Sequence, residues 1–200
     1  KHKIQLFKRT EWSMGKTWLY GFETSKSTKI LQATASSKKK IEFYGNSITC
    51  GYAIEDSSGN DSWEGYFENN YLTYAAITAR HFGAQYSCIA RSGIGVMVSW
   101  APLIMPEMYS RLDATDSTSK WDFTQYIPDV VVVNLFQNDS YLTKTTDHEQ
   151  FKYRFGKTGP DEKFIVASYK LFIKELRNKY SEARIICVLG SMDATKEGSP

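Results

Sequence analysis

The chain has 200 residues, 42% hydrophobic and 14% aromatic, with a formal net charge of +3. That is enough apolar material for one α/β domain with an added piece. The interspersed charges exclude a one-sided basic nucleic-acid surface, no apolar run is long enough to span a membrane, and the three cysteines have no metal-ligand spacing.

Residues 1–35 stand apart. The runs "KIQLFKRTEW" and "KTWLYGFE", joined around Met14-Gly15, predict a two-stranded antiparallel piece. Two strands alone are marginal in water, so the segment reads as the tail of a larger β domain. The stretch "TSKSTKILQATASSKKK" links it to the next unit, and Lys38-Lys39-Lys40 reads as a solvated gatekeeper before an apolar strand.

From residue 36 to 200 strands and helices alternate. "KIEFYG" is the first strand. "NYLTYAAITARHFGA" is a helix with Leu72, Ala75, Ala76, Ala79 and Phe82 on one face, an N-cap at Asn69 or Asn70 and a stop at Gly83. "QYSCIARSG" is the second strand. "PDVVVVNLF" is the third, and its four consecutive valines suit a strand buried on both faces. "GPDEKFIVASYKLFIKELRNKYS" is a helix with Pro160 in its first turn, and "ARIICVLGS" is the fourth strand. Cys88 and Cys187 fall inside strands and read as buried thiols, and Cys50 reads as structural. Residues 52–68 and 139–159 read as long polar loops. The alternation predicts a parallel sheet covered by helices on both faces, a three-layer α/β/α, flavodoxin-like fold.

Three clusters follow three of the strands: Gly45-Asn46-Ser47, Ser92-Gly93-Ile94-Gly95 and Gln137-Asn138-Asp139. In a parallel sheet they share the carboxyl rim, where open α/β sheets bind ligands. Taken singly, each is an ordinary turn or cap. Together they hold the parts of an acyl-transfer site. Ser47 is a nucleophile, and the Ser47 N–H, the Gly93 N–H and the Asn138 amide are donors for an oxyanion. "SGIGVMVSW" contains Gly-x-Gly without the third glycine of a dinucleotide fingerprint.

The trio Gly45-x-Ser47, Gly93 and Asn138-Asp139 resembles the SGNH (GDSL-type) hydrolases. The stretches "IEFYGNSITCGYA", "NNYLTYAAITARHF", "ARSGIGV" and "DVVVVNLFQNDS" are similar to carbohydrate esterase family 2, in which a small β-sandwich precedes the SGNH domain. The resemblance implies O-deacetylation of acetylated xylan or glucomannan without a metal or organic cofactor. It implies Ser47 as nucleophile and Ser47, Gly93 and Asn138 as oxyanion donors. Its partners would be acetylated polysaccharide or oligosaccharide, not nucleic acid or membrane, and its location secreted or periplasmic. Trp63, Tyr66 and Trp100 are candidates for stacking on sugar, and Gln137 and Asp139 for further substrate contacts.

Two positions depart from the family pattern. In the wider superfamily aspartate is usual before the serine, where Asn46 stands here, and Phe136-Gln137 stand where glycine usually precedes the asparagine block, which is expected to reshape the acyl or sugar pocket. The family's base comes from an Asp-x-x-His segment after a fifth strand. Here the histidines are His2, His81 and His148, none in such a motif. The sequence therefore reads as the nucleophile and oxyanion portion of an esterase, incomplete at its C-terminus. A second chain or a missing segment would supply the base. A non-catalytic carbohydrate-binding fragment and another SGNH esterase (lipase, thioesterase or sialate O-acetylesterase) remain open.

Overall fold

A computed structural model describes residues 4–31 and 38–190. The expected linker's residues 32–37 and the stretch from 191 onward lie outside the described residues, as does His2.

Four strands, β1 (Lys40–Gly45), β2 (Gln85–Ala90), β3 (Val130–Asn134) and β4 (Arg184–Cys187), form one parallel sheet in the order β2-β1-β3-β4. All four expected strands form. Alternation sorts their side chains between two cores. Ile41, Phe43, Val130 and Val132 pack with Ala75 and Ala79 of α2 (Tyr74–His81). Tyr44, Val131 and Val133 pack with Phe172 and Leu176 of α6 (Glu162–Lys179) and with Met105 and Met108 of α3 (Met105–Met108). The sheet thus lies between helices on both faces, as expected.

Helix boundaries follow the caps. Asn69 caps a short 3-10 turn, Asn70–Leu72, and Thr73 caps α2 by accepting from the Ala76 N–H at 3.3 Å. The cap of the α-helix is therefore Thr73 rather than Asn69 or Asn70, and Leu72 and Phe82 lie outside the helix with exposed side chains. Asp161, not Pro160, opens α6, accepting from the Phe164 N–H at 2.8 Å.

Three further expectations are corrected. Residues 139–159 are not one loop: α1 (Ser47–Cys50) has counterparts there in α4 (Gln137–Leu142) and α5 (Glu149–Phe155). Helices of six and seven residues are too short to show a periodicity in sequence. Residues 4–31 contain no strand, only a 3-10 turn at Trp12–Met14. Most of their apolar side chains, among them Trp18, Leu19 and Tyr20, face solvent, whereas Phe7 packs on Tyr71 and Tyr86, and no β-pair partner for them lies among the described residues. Cys187 is exposed on β4, an outer strand among the described residues, whereas Cys50 is buried.

Candidate active site at the strand rim

β1 ends between its two neighbours. Gly45 pairs with Ala90 on one side and with Asn134 on the other. Ser47, Gly93 and Asn138 lie two, three and four residues beyond these register partners, so they leave the sheet from one rim. The chain order also reverses at β1, the crevice position for ligands in open α/β sheets.

Ser47 is half-buried and opens α1, where its N–H belongs to the first helical turn and has no intrahelical acceptor. Asn46 caps that turn, its Oδ1 accepting from the Ile48 N–H at 3.2 Å. The second cluster is a tight turn. Gly93 has φ +77°, and a Cβ there would come within 3.2 Å of Trp100. Glycine is needed at 93 for the left-handed backbone and for the indole beside it. The Gly93 carbonyl accepts from the Trp100 N–H at 3.0 Å.

Asn138 joins the second and third clusters. Its Nδ2 donates to the Ile94 carbonyl at 2.8 Å, and its Oδ1 accepts from the Trp100 indole at 3.1 Å. One amide hydrogen is held by the Ile94 carbonyl, and the two bonds fix the orientation of the amide.

Asp139 and Gln137 occupy different roles from those expected. Asp139 has no exposed surface, and its carboxylate accepts from the backbone N–H groups of Val96, Met97 and Val98 at 2.7–3.1 Å. It fixes the loop after Gly93 and cannot touch substrate. Burial, outweighing these bonds, pushes its carboxyl up to about 6. Gly95 is packed so closely against this group that a Cβ would sit 2.6 Å from Asp139 Oδ2. Gln137 is also buried: its Oε1 accepts from Asn46 Nδ2 at 2.6 Å and its Nε2 donates to Asn134 Oδ1 at 2.7 Å. Phe136 takes a left-handed backbone, φ +105°, and lines an apolar groove with Ile165, Val166 and Tyr169.

The aromatic candidates separate. Trp100 is half exposed beside Asn138, stacked on Tyr141 at 5.5 Å and 26°. Trp63 and Tyr66 are exposed on the 52–68 loop, and no hydrogen bond or ring contact among the described residues joins them to Ser47, Gly93 or Asn138.

The two described histidines have local duties. His81 ends α2, edge-on to Phe82. His148 caps α5, its Nδ1 accepting from the Gln150 N–H at 3.2 Å, with its ring edge-on to Trp100 at 5.1 Å. Among the described residues neither is bonded to Ser47.

Sequence reasoning missed two acids. Glu11, from the N-terminal segment, accepts from the Ser92 N–H at 2.9 Å, next to Gly93. Glu68 accepts from the Glu11 N–H at 2.5 Å, and its other carboxylate oxygen is buried without a partner among the described residues. Burial first, and the neighbouring Glu11 charge second, raise Glu68 to about 7. Contacts spanning 57 and 81 positions leave no local sequence signal.

No protein-family model matches the chain. It is 39% identical to the cellulase/esterase CelE of Acetivibrio thermocellus over 96% of its own length. It is 29% identical to an acetylxylan esterase / glucomannan deacetylase of Cellvibrio japonicus over 93%. A family two carbohydrate esterase from Clostridium thermocellum, solved in complex with cellohexaose, superposes with a TM-score of 0.67 at 39% identity over 82% of this chain. The chain spans 22% and 51% of the two relatives and 46% of the solved chain. The parallel sheet and its serine rim define an SGNH-type α/β hydrolase fold. Within that class, the chain is homologous to the family 2 carbohydrate esterases.

Proposed function

We propose that this chain forms the nucleophile and oxyanion portion of a serine esterase that removes O-acetyl groups from polysaccharide or oligosaccharide. The observation that carries the reading is Asn138. It is locked by Ile94 and Trp100 with one amide hydrogen to spare, on the rim that also presents Ser47 and the Gly93 turn.

A base removes the Ser47 hydroxyl proton as Oγ bonds to the acetyl carbon. The carbonyl oxygen becomes an oxyanion among the Ser47 N–H, the Gly93 N–H and the Asn138 amide. Collapse breaks the bond to the sugar oxygen, which leaves with the proton from the base. Water then attacks the acetyl-serine, giving its proton to the base, and acetate departs as Ser47 regains a proton. The resemblance assigns the base to the histidine of an Asp-x-x-His segment outside this chain, and among the described residues neither His81 nor His148 is bonded to Ser47. Trp100 and Tyr141 offer the sugar a flat apolar surface next to the oxyanion site. Residues 1–35 are read as the end of a preceding β-sandwich domain, and the enzyme as secreted or periplasmic. No described helix is long and apolar enough to cross a membrane.

The test is acetate release from acetylated xylan or glucomannan by the full-length protein, with Ser47→Ala as control. Release that vanishes in the variant supports the reading, and release that persists overturns it. A second reading, non-catalytic sugar binding, is favoured by the exposed Trp100–Tyr141 stack. Sugar affinity without Ser47-dependent release would select it.

A further inference from the structure

Asn46 and Gln137 face each other across the rim. Asn46 precedes the nucleophile and Gln137 precedes the oxyanion donor. One hydrogen bond of 2.6 Å, across 91 positions of sequence, joins them. Gln137 continues to Asn134, the last residue of β3 and the register partner of Gly45. All three side chains are at most 5% exposed.

The direction of this chain of amides is fixed. The Ile48 N–H can only donate, so Asn46 turns Oδ1 toward it and Nδ2 toward Gln137. Gln137 then presents Oε1 to Asn46 and Nε2 to Asn134. An aspartate at 46 would keep the cap on Ile48 but would oppose two acceptors unless the Gln137 amide turned over, which would set its Oε1 against Asn134 Oδ1. Gly190, after β4, closes over the relay. A Cβ there would sit 2.6 Å from Gln137 Nε2 and 2.8 Å from Asn134 Oδ1.

We infer that Asn46, Gln137 and Asn134 form a positioning relay that holds Ser47 at a fixed distance from the Asn138 amide, and that Asn46 and Gln137 act as one coupled pair. The inference rests on the esterase reading. None of the three residues touches the reacting atoms. They act through the backbone of the residue that follows each of Asn46 and Gln137, where a small displacement of nucleophile against oxyanion donor lowers the rate.

The test is a double-mutant cycle in the full-length protein with Asn46→Asp and Gln137→Met. The first keeps the helix cap and removes the donor, and the second removes the acceptor at similar volume. Each single variant is expected to lower kcat for acetyl-ester hydrolysis about 10- to 100-fold with KM within about twofold. The double variant is expected within about threefold of the Gln137→Met variant, not at the product of the two losses. The same cycle is read by urea midpoints, which need no activity. Independent effects in both cycles, or wild-type kcat in Asn46→Asp, overturn the relay while leaving the esterase reading intact. Coupled midpoints in a protein without Ser47-dependent turnover overturn the esterase reading and the positioning role together, and retain only the bond.

Discussion

At the β1/β3 rim, polar side chains are buried and paired: Asn46 with Gln137, Gln137 with Asn134, Asp139 with three backbone N–H groups. In residues 4–31 large apolar side chains lie in solvent, with Trp18 72% and Tyr20 96% exposed. The N-terminal segment reaches the rest of the chain through Phe7 on Tyr71 and Tyr86, Lys16 on Asp113, and Arg9, Glu11 and Trp12 near the rim. Arg9 donates to the Glu68 carbonyl at 2.9 Å, Glu11 accepts from Ser92, and Trp12 lies under the Arg91 guanidinium at 4.5 Å. A buried polar group is tolerated only with its partners in place, and so it specifies geometry. An exposed apolar run specifies little until another surface covers it.

Breaking the rim at its reacting end has the largest expected effect. Asn138→Ala removes a preorganised oxyanion donor and should lower kcat by about 10²–10³, roughly 3–4 kcal/mol, with KM nearly unchanged in steady-state assays of the full-length protein. Asp139→Ala breaks the rim from beneath. It leaves the buried N–H groups of Val96, Met97 and Val98 without an acceptor and should cost about 3 kcal/mol, read as a lower urea midpoint.

A pH titration sharpens the contrast. Glu68 and Asp139 both have folded-state carboxyls raised, to about 7 and about 6. A raised acid holds its proton more tightly when folded. Its contribution is therefore complete below the ordinary carboxylate range and is lost as pH rises through the folded value. Stability should fall between about pH 4 and pH 7. Glu68→Gln should flatten the upper part of that fall and raise stability at pH 8 by about 1–2 kcal/mol. The smallest effect belongs to the contact between the regions. Glu11→Ala removes the acceptor for the Ser92 N–H and should cost about 1 kcal/mol. Faster proteolysis within residues 15–31 and a modest fall in kcat would check it.

The same contrast explains what could be seen in the sequence. Four valines in β3 and the alternation of strands with helices announced a sheet covered on both faces, and the three clusters after β1, β2 and β3 were legible because each closes a strand. Asp139 and Gln137 were misread because a polar residue beside a reactive one looks the same whether it turns to substrate or into the core. Only tertiary distance separates the two, as in the 2.7 Å bond to the Met97 N–H. The two-stranded reading of the N-terminal runs failed for the converse reason. Strand propensity was present, but among the described residues those runs find no pairing edge.

The central claim is that Ser47 is an acylating nucleophile held beside an oxyanion hole. The most direct measurement is intact and peptide mass of the full-length protein after treatment with an acetyl-mimicking organophosphonate. The account predicts one label per chain, on Ser47, slowed by Asn138→Ala and absent in Ser47→Ala. An unlabelled Ser47 in a protein that still releases acetate from its polysaccharide would contradict it.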